Sequence, residues 1–161
     1  MDNSPLAPTP GRPPAITRHF CRRRGRHGRC SVSNRGENVA NVIVADDESL
    51  LRWALVQRLV RDGHTVTEAV DGAATLQALE TVGPPTVVVL DVKLPDMTGL
   101  AVLEEIRRRR PDAAVVMMTA YWASDALEHA RRLGVRDLLA KPLDLDRVAA
   151  VVAAAKEIGP C

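Results

Sequence analysis

The sequence is poor in aromatic residues and contains no long hydrophobic run. Phe, Tyr and Trp together make up 2% of the 161 residues, so a buried core has to be built from aliphatic side chains. No apolar stretch approaches the roughly 18 residues that a membrane-spanning helix needs. The Arg-rich N-terminus lacks the apolar stretch of a secretory signal. We therefore expect neither membrane attachment nor secretion.

Cysteine is also scarce and badly placed for disulfides. The three cysteines, Cys21, Cys30 and Cys161, all lie outside the regularly patterned part of the sequence. An odd number with none in the predicted core does not form a disulfide framework. Such a chain suits a reducing compartment, and we expect a cytoplasmic protein.

Charge is divided unevenly along the chain. Residues 1–38 contain eight Arg and no Lys against two acids, a formal charge of +6; since the whole chain carries +2, the remainder carries −4. A mildly acidic domain does not suit nucleic acid, so no specific nucleic-acid partner is expected. Residues 1–38 are rich in Pro, Arg, Gly and Ser, which is typical of disorder. We predict a disordered segment over residues 1–38, one folded domain over 39–158 and a short tail over 159–161.

From residue 40 onward, short apolar runs alternate with amphipathic stretches of helical length. This alternation predicts five strands, each followed by a helix. Short connections between them favour right-handed crossovers, and hence an α/β fold with a parallel sheet and helices on both faces. The predicted strands are Val42–Ala45, Thr65–Ala69, Thr86–Leu90, Ala113–Met118 and Val135–Ala140, and the predicted helices are Ser49–Arg61, Asp71–Val82, Gly99–Arg109, Trp122–Leu133 and Leu145–Lys156.

Chemically active side chains follow four of the five predicted strands. Asp46 and Asp47 follow the first strand, Asp91 the third, Thr119 the fourth and Lys141 the fifth. The carboxyl ends of parallel strands form the rim at which α/β sheets bind ligands. We therefore expect three carboxylates, one hydroxyl and one ammonium group to converge at this rim.

Converging carboxylates repel one another unless a cation compensates them. Mg²⁺ prefers hard oxygen ligands and is commonly held by one or two carboxylates together with a phosphate. With Mg²⁺ bound, all three carboxylates could stay ionised, and Asp91 could attack phosphorus to give an aspartyl phosphate. Mg²⁺, Lys141 and Thr119 could then each engage one equatorial oxygen of the transferring phosphoryl group.

Each rim residue also has an interpretation without chemistry. Asp46 and Asp47 could cap the following helix and complement its dipole. Asp91 could be an ordinary loop acid and Thr119 a strand-end hydroxyl with a local hydrogen bond. Lys141 could be a surface lysine whose stem covers apolar surface. Metal binding is favoured because all five residues are expected on one rim.

Residues from about 40 to 157 resemble the receiver domains of response regulators in two-component signalling. The segments VADDE, VVLDVKLPDMTGL, MMTAY and LGVRDLLAKP carry the resemblance, in this order and within five βα repeats. The segments ESLLRWAL and MMTAY further resemble receivers of the NtrC type, which usually precede an ATPase module and a DNA-binding module. The resemblance implies a flavodoxin-like (βα)5 fold with strand order 2-1-3-4-5.

The resemblance also implies a role for each acidic residue. Asp91 is expected to accept the phosphoryl group from a sensor histidine kinase in a phosphorelay. Asp47 and Asp91 are expected to bind Mg²⁺ directly, and Asp46 through water. The backbone carbonyl of Lys93 is expected to be a further metal ligand.

The remaining implied roles concern the signal. Thr119 is expected to be the switch hydroxyl that moves toward the phosphate, and Lys141 to pair with a phosphoryl oxygen. The peptide bond between Lys141 and Pro142 is expected to be cis. One position departs from the family: Leu138, three residues before Lys141, stands where an aromatic ring usually reports activation. Thr119 could then work without that ring.

The function implied by the resemblance is signalling by altered protein–protein binding, without turnover of an external substrate. The implied partner surface comprises the fourth helix, fifth strand and fifth helix, and a homodimer could form on phosphorylation. One alternative is a regulatory fragment of an NtrC-type transcription regulator; because the sequence ends at Cys161, we expect no ATPase or DNA-binding module in this chain. Another is an aspartyl-phosphate phosphatase, but such enzymes commonly carry an acid two residues after the nucleophile, where this chain has Lys93.

Overall fold

A computed structural model of the protein describes residues 39–121 and 124–156. Five strands and five helices alternate along these residues, as the sequence predicts. The predicted segments 1–38 and 159–161 lie outside the described residues, as does Trp122. The elements are β1 (Asn41–Ala45), α1 (Ser49–Arg61), β2 (Thr65–Ala69), α2 (Gly72–Thr81), β3 (Thr86–Asp91), α3 (Gly99–Arg109), β4 (Ala114–Thr119), α4 (Ser124–Arg132), β5 (Asp137–Ala140) and α5 (Leu145–Ala155).

The five strands form one parallel sheet in the order β2-β1-β3-β4-β5. This confirms the predicted α/β class and strand order, with β2 and β5 at the edges. Ala45 at the end of β1 lies beside Leu90 of β3, and Asp91 lies beside Met118 of β4. The polar residues that end or follow these strands therefore emerge along one edge of the sheet.

Both faces of the central strands β1, β3 and β4 are buried, which explains why these strands are apolar apart from their terminal residues. Alternate residues of each strand point to opposite faces. One face packs against α1 and α5, and the other packs against α2, α3 and α4. Representative buried residues are Val44, Val89, Leu55 and Val152 on the first face and Ile43, Val88, Leu79, Leu103, Ile106 and Ala130 on the second.

Most predicted boundaries lie within one residue of the structure, and the larger difference at the start of β5 has a local reason. The sequence predicts that β5 begins at Val135, but the strand begins at Asp137. The N–H of Val135 instead donates to the carbonyl of Ala130, which closes the end of α4, where Gly134 has a φ of 72°. β4 begins at Ala114 rather than Ala113. No helix within the described ranges is both long enough and apolar enough to cross a membrane.

His64, in the turn between α1 and β2, is a buried polar residue. It is 7% exposed, and its Nδ1 accepts a hydrogen bond of 3.2 Å from the backbone N–H of Ala40. Burial lowers the pKa of His64, the positive charge of Lys156 lowers it further, and the charge of Asp62 opposes both effects. The hydrogen bond requires an unprotonated Nδ1, so the folded protein favours neutral histidine.

We predict that His64 makes the folded state lose stability in mild acid. Because its folded-state pKa lies below the ordinary value of about 6.5, the unfolded chain takes up the proton first. The stabilisation is complete above about pH 6.5 and is lost as the pH falls from there toward the folded-state pKa. In His64→Asn, the side-chain oxygen can accept the same bond and does not titrate.

The measurement is the free energy of unfolding in urea between pH 8 and pH 5. The difference between His64→Asn and wild type should shift in favour of the variant as the pH falls. Gln57→Asn, which changes an exposed side chain that does not titrate on α1, is the control and should retain the pH dependence of wild type. A difference between His64→Asn and wild type that is independent of pH would contradict the prediction.

Candidate functional site

Three carboxylates meet at the carboxyl ends of β1 and β3. One oxygen from each of Asp46, Asp47 and Asp91 lies within 4.8 Å of the other two. Asp46 and Asp91 are buried, whereas Asp47 is exposed. The structure thus places together the three acids that the sequence predicts at this rim.

Lys141 joins β5 to the two buried acids. Its Nζ donates to Oδ2 of Asp46 at 2.8 Å and to Oδ2 of Asp91 at 2.5 Å. Burial acts to lower the pKa of Lys141, but its hydrogen bonds to Asp46 and Asp91 outweigh burial and hold that pKa above the ordinary value. The ammonium group therefore stays charged at neutral pH. The bond between Lys141 and Pro142 is cis, as predicted.

Backbone groups hold the second oxygen of each buried carboxylate. Oδ1 of Asp46 accepts from the N–H of Glu48 at 2.8 Å, and Oδ1 of Asp91 accepts from the N–H of Lys93 at 3.2 Å. The start of α3 lies directly on this loop: a Cβ atom at Gly99 would stand 2.2 Å from the carbonyl oxygen of Asp91. Only glycine permits this approach, which fixes the backbone that carries the acid.

The Thr119 hydroxyl takes part in a local turn. Thr119 is buried at the end of β4; its Oγ1 donates to the carbonyl of Tyr121 at 2.9 Å and accepts from the N–H of Tyr121 at 3.2 Å. Within the described part of the chain, these are the two hydrogen bonds of the hydroxyl. In this conformation Thr119 is a strand-end hydroxyl with local hydrogen bonds, the alternative without chemistry given above. Its backbone carbonyl accepts from the N–H of Lys141 at 2.8 Å.

Lys93 and Leu138 occupy contrasting environments. Lys93 has an exposed side chain and lies in an isolated bridge with Thr98, in the loop between β3 and α3. Leu138 lies in β5, is partly buried and packs against the core on the α2, α3 and α4 face. An aliphatic side chain thus extends the core where the family usually has an aromatic ring.

The donor set of the rim fits a divalent cation. Three carboxylates and one ammonium group leave two negative charges. At about 5 Å, two like charges near a protein surface repel by roughly 3 kcal/mol. Both oxygens of Asp46 are already hydrogen bonded, whereas the carboxylate of Asp47 has no hydrogen bond within the described residues. Carboxylate oxygens and a deficit of two charges match what Mg²⁺ requires, with Asp47 the most available ligand.

Two residues that the sequence did not single out also hold the rim. Arg52 donates from Nη1 to the carbonyl of Asp46 at 2.7 Å. Asp96 accepts from the N–H groups of Gly72 and Ala73 at 2.7 and 2.9 Å, and the bond from Gly72 is the main cause that lowers the pKa of Asp96. A cation in the first turn of a helix is unfavourable because it opposes the helix dipole. Its presence there in the sequence could have marked Arg52 as a residue with a specific partner.

The chain matches the sequence profile of the response regulator receiver domain over residues 42–153, a span that contains every rim residue named above. The DNA-binding transcriptional regulator NtrC of Escherichia coli K12 is 40% identical over 111 residues, which are 69% of this chain and 24% of NtrC. The photosynthetic apparatus regulatory protein RegA of Rhodovulum sulfidophilum is 37% identical over 117 residues, which are 73% of this chain and 63% of RegA. The chain thus spans about a quarter of the length of the NtrC proteins that it resembles.

Solved structures agree with the sequence match. The receiver domain of NtrX from Brucella abortus has a TM-score of 0.67 at 32% identity, covering 73% of this chain and 99% of that domain. A CheY-like receiver domain protein from Methanospirillum hungatei JF-1 has a TM-score of 0.70 at 22% identity, covering 74% of this chain and 94% of its own, which supports the fold. The prediction of the family from the quoted segments is confirmed: this chain belongs to the response regulator receiver domain family.

Proposed function

We propose that the chain is a phosphorylatable receiver that accepts a phosphoryl group on Asp91 from a sensor histidine kinase. The observation that carries the proposal is the cluster of Asp46, Asp47 and Asp91 with Lys141 paired to two of them. Asp91 is the proposed nucleophile because it ends the central strand β3 and sits between Lys141 and the N–H of Lys93. Membership of the receiver family supports the same assignment.

In the proposed reaction, one carboxylate oxygen of Asp91 attacks the phosphorus of a phosphohistidine. The P–O bond forms as the P–N bond breaks, and the histidine nitrogen leaves with the electron pair. Lys141 gives up its ion pair with Asp91 and pairs instead with a phosphoryl oxygen, so that its positive charge offsets the negative charge of the phosphoryl group. Mg²⁺, when held by Asp46, Asp47, Asp91 and the backbone carbonyl of Lys93, supplies further positive charge for the phosphoryl oxygens.

The proposed signal begins with competition for the Thr119 hydroxyl. A phosphoryl oxygen on Asp91 is a charged acceptor, and hydrogen bonds to charged acceptors are stronger than neutral ones. Thr119 would leave its two bonds to Tyr121, which frees the backbone that leads toward α4. Its carbonyl is bonded to Lys141, so the same movement reaches β5.

The proposed output is a change in protein binding at the surface formed by α4, β5 and α5. A receiver with two conformations shifts toward the one that the phosphoryl group stabilises. A downstream protein would recognise that conformation, and a second phosphorylated copy could pair through the same surface. We propose a cytoplasmic location and no turnover of an external substrate.

We predict that acetyl phosphate with Mg²⁺ adds one phosphoryl group to the wild-type chain, as measured by intact mass. Asp91→Asn should add none, because an amide oxygen cannot form the acyl phosphate. Asp112→Asn removes an exposed carboxylate that pairs with Arg110 and is the matched control; it should be phosphorylated normally.

Chelation of Mg²⁺ should prevent the mass increase in wild type. Retention of the full increase in Asp91→Asn would contradict the assignment of the acceptor. Steady hydrolysis of p-nitrophenyl phosphate by the wild-type chain would favour the phosphatase alternative instead.

We further propose that Lys93 and Tyr121 prolong the phosphorylated state. Each stands two residues after a rim residue and has an exposed side chain, with Tyr121 81% exposed. Side chains there can obstruct the water that hydrolyses the acyl phosphate. The double variant Lys93→Ser, Tyr121→Ser should lose its phosphoryl group several-fold faster than wild type.

The rate of loss follows from intact mass after removal of the phosphodonor. Trp53→Ser removes an exposed aromatic ring from α1 rather than from the rim and should decay at the wild-type rate. Equal rates for wild type and the double variant would show that these side chains do not shield the phosphate.

A second candidate is that the chain is the receiver portion of a transcription regulator of the NtrC type. The 40% identity to a protein of that name, over 24% of its length, favours this possibility. The mass of the protein in its native cells distinguishes the candidates. A polypeptide several times longer that reacts with antibodies to residues 39–121 would support the second, and one of 17.5 kDa would support the first.

A further inference from the structure

We infer that Arg52 is a positioning residue for the carboxylate cluster: it holds the main chain between Asp46 and Asp47 so that the Asp47 carboxylate faces Asp91. The inference rests on the proposed function in one respect, namely that the cluster binds a divalent cation. Arg52 itself has no hydrogen bond to any of the three carboxylates within the described residues.

Asp46 is hydrogen bonded at every polar atom. Its N–H donates to the carbonyl of Ala69 at 3.2 Å, Oδ1 accepts from Glu48 at 2.8 Å and Oδ2 accepts from Lys141 at 2.8 Å. The carbonyl oxygen, the fourth atom, accepts from Arg52 at 2.7 Å. Arg52 therefore supplies the one bond to Asp46 that acts on the peptide group leading to the next residue.

That peptide group determines where Asp47 lies. The six atoms from the Cα of Asp46 to the Cα of Asp47 are coplanar, so fixing the carbonyl of Asp46 fixes the plane from which Asp47 departs. Asp47 is exposed, and its carboxylate has no hydrogen bond of its own within the described residues to orient it. The position of the most available metal ligand therefore depends on the backbone bond from Arg52.

The placement of Arg52 is otherwise unfavourable. It lies in the first turn of α1, where the helix dipole disfavours a cation. Its Nε donates to Oε2 of Glu68 on β2 at 3.0 Å, but the Glu68 side chain is 52% exposed, and such exposed pairs contribute little stability. The planar guanidinium binds the Asp46 carbonyl and the Glu68 carboxylate at the same time, so one rigid group links the two.

Charge and geometry make opposite predictions for this residue. A guanidinium close to a cation site repels the cation, so if charge alone mattered, its removal would strengthen Mg²⁺ binding. If Arg52 acts by positioning, its removal weakens Mg²⁺ binding although one positive charge has gone. Arg52→Lys separates the effects further, because it keeps the charge but lacks the planar fork that reaches both partners.

The experiment compares Mg²⁺ titrations of the full chain by calorimetry. Arg52→Met keeps an unbranched apolar stem without the guanidinium. We expect it to bind Mg²⁺ on the order of 10-fold more weakly than wild type, as is usual for residues that hold metal ligands in place. Arg52→Lys should also bind more weakly. Arg58→Met, in the same helix, removes a cation that pairs with Asp62 and Asp146 and should retain wild-type affinity.

A second measurement needs no metal. In the metal-free protein, the amide of Glu48, which donates to Asp46, should exchange with solvent at least several-fold faster in Arg52→Met than in wild type or Arg58→Met. This measurement tests positioning even if wild type does not bind Mg²⁺, an outcome that would instead remove the metal from the proposed function.

Unchanged exchange at Glu48 would overturn the inference. So would Mg²⁺ binding by Arg52→Met that equals or exceeds that of wild type. Weaker Mg²⁺ binding together with faster exchange would establish it.

Discussion

The two ion pairs from Lys141 to Asp46 and Asp91 are the interaction on which the site depends, because they join the ends of β5, β1 and β3 through one ammonium group. The side chain of Lys141 is 17% exposed, and the two carboxylates are more deeply buried. Loss of one partner from such a buried pair typically costs roughly 3–5 kcal/mol, since a charge is left uncompensated. The lysine therefore compensates part of the charge of two acids inside the fold.

Lys141 offsets only part of the negative charge of the three carboxylates, and the remaining charge makes the rim attractive to a cation. Two negative charges remain, and the exposed position of Asp47 allows water to screen one of them. Fixed backbone, such as the start of α3 against the carbonyl of Asp91, prevents the acids from relaxing apart. Natural folds accept such local conflicts mainly at functional sites. The architecture thus maintains a site that a divalent cation can complete.

Much of this arrangement could be predicted because it follows from the apolar pattern of the strands and from the geometry of a parallel sheet. Apolar runs defined β1, β3 and β4, and a parallel sheet requires their carboxyl ends to share one edge. Asp46, Asp47 and Asp91 could therefore be placed together without any distance being known. The start of β5 was wrong because the apolar Val135 counts as a strand residue by pattern, whereas its N–H closes the end of α4.

Hydrogen-bond partners could not be predicted in the same way, because they depend on side-chain reach and not on periodicity. Nothing in the spacing of Arg52 indicates that it binds a carbonyl six residues earlier. The Thr119 hydroxyl shows why this matters for signalling. Its position at the strand end follows from pattern, but its two hydrogen bonds with Tyr121 do not. Under the proposed function, a phosphoryl group on Asp91 would compete with Tyr121 for this hydroxyl. The proposed signal would then depend on a small difference between hydrogen bonds, which no sequence pattern determines.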